Sequence, residues 1–130
     1  MKLGYSIFYV PDVEATVTFY ETAFGLKRRF TDPSGYGELE TGDTALGFAS
    51  EALMEGGGVR FQPSRPDDTR APPAEVAFVV DDPQAVFDRA VAAGAAPIAP
   101  PRQKPWGQTV AYLRDLNGFV VELCTPVAGS

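Results

Sequence analysis

The chain has 130 residues, 45% of them apolar, and 17 acidic against 11 basic side chains give it a formal charge of −6. That composition supports a folded core and argues against a disordered chain, and no apolar run nears the ~20 residues of a membrane-spanning helix. Basic residues are too few and too scattered to follow a phosphate backbone, so nucleic acid is not an expected partner; a cationic small molecule suits the charge better. The chain contains no histidine, which removes the commonest metal ligand and the usual general base near neutral pH.

Residues 4–10 alternate in the manner of a strand that stops at Pro11-Asp12. Asp12 stands where a helix N-cap belongs, and Val13, Val17, Tyr20 and Phe24 fall on one helical face before Gly25 closes the helix. Strands are predicted at about 27–31, 36–41 and 44–50, with Gly42-Asp43 as a hairpin connection. Strand alternation splits the basic run Lys27-Arg28-Arg29 between two faces. Residues 51–73, with Gly56-Gly57-Gly58 and several prolines, read as a linker. The triglycine lacks the Lys-Ser/Thr ending of a phosphate-binding loop.

A second series then repeats the first. A strand is predicted at 75–81, and a helix at 83–93 follows with Asp82 as cap, Pro83 at its first position and Gly94 beyond it. Val86, Ala90 and Ala93, with Phe87, mark the buried face. Residues 95–104 are extended, but Pro97, Pro100 and Pro101 confine any strand there to a sheet edge. Strands at about 108–114 and 118–124 flank Asp115-Leu116-Asn117-Gly118. Aligning Tyr5–Asp12 with Glu75–Asp82 places Phe8 on Phe78, Val10 on Val80 and Asp12 on Asp82. The fold class is therefore α+β, as two tandem βαβββ modules over 1–50 and 74–130.

Three segments make the chain resemble the vicinal oxygen chelate superfamily of glyoxalase I, bleomycin-resistance proteins, fosfomycin-modifying enzymes and extradiol dioxygenases. They are Phe8-Tyr9-Val10-Pro11-Asp12 with Phe19-Tyr20 and Phe24-Gly25-Leu26; Val79-Val80-Asp81-Asp82 with Ala93-Gly94; and Pro105-Trp106-Gly107-Gln108 with Asp115 to Leu123. The resemblance covers nearly the whole chain and implies one domain, 1–130, whose two curved mixed sheets surround a cavity. Metal-using members take ligands from the first and last strand of each module. Carried over, those places are Tyr5, a residue within Leu46-Gly47-Phe48, Glu75 and Glu122. Only the two glutamates are good ligands, fewer than the three protein donors usual in a catalytic site. The resemblance thus implies no metal cofactor, with a hard divalent ion on Glu75 and Glu122 as the alternative.

The expected ligand-binding residues are Tyr5, Phe48, Glu75, Trp106, Tyr112 and Glu122, with no catalytic residue assigned. Tyr9 and Phe61 are further wall candidates. A cavity lined by aromatic side chains with a few polar anchors suits a flat ligand, and the glutamates suit a cationic one. The bland alternatives are core packing for the aromatic residues and a hydrogen-bonded relic for the acid pair. Cys124 is alone and, without an activating histidine, is expected to be buried filler. The single cysteine and the absence of a signal-peptide pattern fit a cytoplasmic protein.

The expected function is metal-free binding of an antibiotic-like aromatic or cationic compound, of the bleomycin-resistance type, in a homodimer. The alternatives are a divalent-metal-dependent lyase, isomerase or dioxygenase, and a regulatory or immunity partner that makes no use of a pocket.

Overall fold

The computed structural model describes residues 1–127, and the statements below refer to those residues. The chain divides into two compact units, Met1–Pro63 and a second beginning at Ser64. In the first unit the order is β1 (Tyr5–Val10), α1 (Val13–Phe24), β2 (Lys27–Asp32), β3 (Tyr36–Glu40), β4 (Ala45–Ser50) and α2 (Glu51–Gly56). Its sheet runs β1-β4-β3-β2, with β1 parallel to β4 and the other pairs antiparallel.

Local chemistry sets the limits of α1. The Asp12 carboxylate accepts from the Ala15 N–H at 3.0 Å, and Gly25, at φ 68, ends the helix in the left-handed conformation. Val13, Val17 and Tyr20 are buried along one face, and the Tyr20 ring lies 5.0 Å from that of Phe48 on β4. Complete burial of Phe48 and Tyr20 contributes about 1.5–3 kcal/mol apiece. Side chains alternate along a strand, so Leu39, Leu46 and Phe48 pack toward α1. Tyr5, Ile7, Tyr36, Glu38, Glu40 and Gly47 share the opposite, far face.

A shift in register between Arg28 and Phe30 on β2 breaks that alternation. Arg28 turns to the helix, pairing with Glu14 at 2.6 Å and Glu21 at 2.9 Å. Arg29 turns to the far face, 3.3 Å from Glu38 and 3.1 Å from Glu40. The basic run is divided between two faces as its alternation predicts.

The second unit repeats the plan with β5 (Glu75–Val79), α3 (Pro83–Ala92), β6 (Ala96–Gln103), β7 (Thr109–Arg114) and β8 (Val120–Cys124). Its sheet order, β5-β8-β7-β6, is that of the first. Asp82 caps α3 by accepting from the Ala85 N–H at 3.1 Å, and Pro83 starts the helix. Pro83, Phe87 and Ala90 are its buried residues. The proline-rich β6 is an edge strand with two register shifts, as three prolines require.

Within the stretch read as a linker over 51–73, Glu51–Gly56 are helical. Ser50 Oγ accepts from the Leu53 N–H at 3.1 Å and starts α2, which packs on β4 and β1. The later half belongs to the second unit. Ser64 Oγ donates to the Asn117 carbonyl at 2.9 Å, and Arg114 reaches the carbonyls of Arg65, Asp68 and Gly118. Among the described residues no helix is long and apolar enough to cross a membrane.

Candidate functional site

In the second unit β5 and β8 run side by side, with Ala77 opposite Glu122 and Glu75 opposite Val120. Tyr112 of β7 pairs with Glu122 across the antiparallel ladder. Strand alternation then puts Glu75, Glu122, Tyr112 and Cys124 on one face, away from α3. Partial burial, then the hydrogen bond and charge of Glu122, raise the Glu75 carboxyl above its ordinary pKa. Burial and the charges of Glu122 and Glu75 raise Tyr112. Burial, then Glu122, raises the Cys124 thiol.

Those shifts share one origin, negative charge gathered where water is partly excluded. Among the described residues neither glutamate has a lysine or arginine within ion-pair distance. Lys104 Nζ stands 6.0 Å from the Tyr112 ring centroid, at the limit of a cation–π contact. Trp106 is 58% exposed on the loop between β6 and β7. Its indole N–H donates to Gln108 Oε1 at 2.9 Å, and the Gln108 amide donates to the Thr125 carbonyl at 2.9 Å. The indole is therefore held on a tied loop with most of its surface in water.

In the first unit the register identifies the residue that matches Glu122. Ile7 pairs with Gly47 as Ala77 pairs with Glu122, so the matching residue is Gly47. It offers no side chain. Tyr5, which matches Glu75, is 58% exposed on the far face. Phe48 points the other way: it is fully buried against Tyr20 and Phe8, in the core under α1. The structure therefore does not bring Phe48 together with Tyr5 on the far face. Tyr9 lies with its ring 5.0 Å from that of Phe61, within this unit.

Sequence reasoning passed over Tyr36, Glu38 and Arg29. Glu38 is only 5% exposed. Its carboxylate accepts from the Tyr36 hydroxyl at 2.7 Å and from Arg29 at 3.3 Å. Burial, and then the Glu38 carboxylate, push the Tyr36 phenol well above its ordinary pKa, so it remains a proton donor to Glu38. The signal was available: the alternation in Tyr36-Gly37-Glu38-Leu39-Glu40 puts the tyrosine and both acids on the face opposite Leu39. A surface hollow of about 400 Å³ in this unit, beside Asp12, Glu14, Asp32 and Ser50, includes none of the residues expected from sequence.

The metal site of the metal-using relatives does not fit these residues. Tyr5 and Gly47 supply one phenol between them, Glu75 and Glu122 supply two carboxylates, and the chain has no histidine. Among the described residues no three His, Cys, Asp or Glu side chains converge.

Two copies of a βαβββ unit with one strand order, each with polar and aromatic groups on the far face, define a tandem-module α+β class. The chain belongs to the glyoxalase/bleomycin resistance protein/dioxygenase superfamily, whose family model matches residues 2–123. Solved structures agree in fold. A glyoxalase-related enzyme from Fulvimarina pelagi has a TM-score of 0.79 at 24% identity, covering 96% of this chain and 88% of that one. A glyoxalase/bleomycin resistance protein/dioxygenase family enzyme from Burkholderia phytofirmans PsJN has a TM-score of 0.79 at 22% identity, with 96% and 98% covered. TioX from Micromonospora sp. ML1 has a TM-score of 0.71 at 22% identity, again with 96% and 98% covered. A comparison with curated proteins gave no match.

Proposed function

We propose that this chain binds an aromatic, cationic small molecule without a metal and without chemical turnover, and that it does so as a homodimer. One observation carries the reading. Glu75 and Glu122 share the far face of the second sheet with Tyr112, and among the described residues no basic side chain is paired with either glutamate. An uncompensated carboxylate pair beside an aromatic ring is complementary to a positive charge on a flat ring system. Exposed apolar side chains on the far faces, Tyr5, Ile7 and Val79, support the binding and self-association parts.

Calorimetric titration tests this with anthracyclines, glycopeptide antibiotics and simple aromatic cations. At least one aromatic cation is expected to bind stoichiometrically. Glu122→Gln is expected to weaken it about 10–100-fold, the usual cost of losing a hydrogen bond to a charged group. No heat with any of them at high micromolar concentration would sink the proposal. Sedimentation equilibrium tests the dimer.

A second reading, an enzyme that holds a hard divalent ion on Glu75 and Glu122, draws support from the juxtaposed carboxylates and from the solved enzymes of similar fold. Metal analysis of protein purified without chelator separates the two. One equivalent of metal, lost in Glu122→Gln, favours the enzyme.

A further inference from the structure

The first sheet carries a polar anchor that the family's donor places do not foretell. Gly47 stands in the middle of β4, where glycine weakens a strand and commonly marks a close approach. What approaches is a side chain of the same sheet. A Cβ at position 47 would lie 2.6 Å from the Tyr36 hydroxyl oxygen. The Tyr36 ring thus lies across the glycine, and its hydroxyl fills the space where the matching glutamate of the second sheet carries its side chain.

That hydroxyl is directed as well as placed. It donates its proton to Glu38 at 2.7 Å, and Glu38 is held from its other oxygen by Arg29 at 3.3 Å. A phenol that donates to a carboxylate is polarised, so its oxygen becomes the better acceptor for a third group. Arg29 is shared between Glu38 and Glu40, and the three groups together carry an excess negative charge. A buried carboxylate is costly to retain for packing alone. Phe30, 43% exposed, has its ring 5.9 Å from that of Tyr36, and exposed Tyr5 and Ile7 lie on the same face. A fixed acceptor among half-exposed apolar rings has the composition of a ligand wall.

We propose that Tyr36, oriented by Glu38 and seated on Gly47, is a ligand-contacting residue whose hydroxyl oxygen accepts a hydrogen bond from an N–H of a flat, protonated aromatic ligand. The inference rests on the binding function proposed above and names a hydrogen-bond acceptor within the first unit by itself. It assigns Arg29 a positioning role, holding Glu38 so that the phenol points one way.

Proflavine, a planar cation with ring N–H and amino donors, is a suitable probe because its fluorescence reports binding. Tyr36→Phe keeps the ring and removes only the acceptor, and is expected to weaken binding about tenfold. Gly47→Ala keeps the phenol and forces it aside, and is expected to weaken binding to a similar extent. Thermal melting of each variant shows whether the fold survives, and Tyr36→Phe remains decisive if Gly47→Ala does not fold. Wild-type affinity in a folded Tyr36→Phe protein overturns the inference. If Glu122→Gln alone weakens proflavine, the binding function stands and this extension fails. If wild type ignores proflavine at millimolar concentration, the extension falls; if it also ignores the drug panel, the function falls with it.

Discussion

At Glu75 the folded chain holds a proton more tightly than the unfolded chain does, because partial burial and the neighbouring Glu122 both oppose ionisation. The folded pKa lies above the unfolded value of about 4.3. The folded state therefore binds more protons between those two values, and stability falls as pH rises through them. Above the folded pKa, Glu75 is a standing cost to the fold. Glu75→Gln is expected to unfold at higher urea than wild type at pH 7 and to lose that advantage near pH 4. A variant that is less stable than wild type at pH 7 would show that the pair is held together by something other than mutual repulsion and burial. Glu38 differs in kind: Arg29 and Tyr36 satisfy its charge within the sheet, whereas among the described residues neither Glu75 nor Glu122 has a basic partner.

The loop between β7 and β8 shows how far local sequence carries and where it stops. Asp115-Leu116-Asn117-Gly118 marks a hairpin, and Gly118, at φ 91, makes the turn. The closure is larger than an Asn-Gly turn and is organised by a side chain. Asp115, 2% exposed, accepts from the backbone N–H groups of Asn117 and Phe119 at 2.9 Å each. Asp115→Ala strands two buried donors and is expected to cost about 2–4 kcal/mol, read from chemical denaturation. Loss of less than about 0.5 kcal/mol would mean that water or another group replaces the carboxylate. Elements set by periodicity and caps, such as α1 with Asp12 and Gly25, were legible because their causes lie within a dozen residues. Helix α2 was not: its six residues have no buried face, and a serine cap plus packing on β4 and β1 decide it. The face that Phe48 takes was not legible, because a one-residue change in register moves a side chain from one side of a sheet to the other. The bulge at Arg28–Phe30, which sets Phe30 as well as Arg29 beside Glu38, leaves no mark in the sequence.

Over the whole molecule, the two units keep one architecture while their far-face chemistry has diverged. Glu122 on β8 is matched by Gly47 on β4, and Tyr112 on β7 by Glu38 on β3, since both pairs occupy the same place in their ladders. Each far face thus retains one glutamate and one tyrosine in contact, Glu38 with Tyr36 and Glu122 with Tyr112, but the first sheet has moved its acid to another strand. A metal site is intolerant of such a move, because donors must converge at fixed distances, whereas a surface that attracts a cation needs only charge and shape. This yields a prediction about stability. Chelator is expected to leave the melting temperature of the purified protein unchanged, and Zn²⁺ or Mn²⁺ at moderate excess is expected not to raise it. An aromatic cation at 100 times its Kd is expected to stabilise the fold by about 2.7 kcal/mol, a shift of several degrees by scanning fluorimetry. A fall in melting temperature on chelation, reversed by one equivalent of metal, would place an ion in this chain and overturn the metal-free reading.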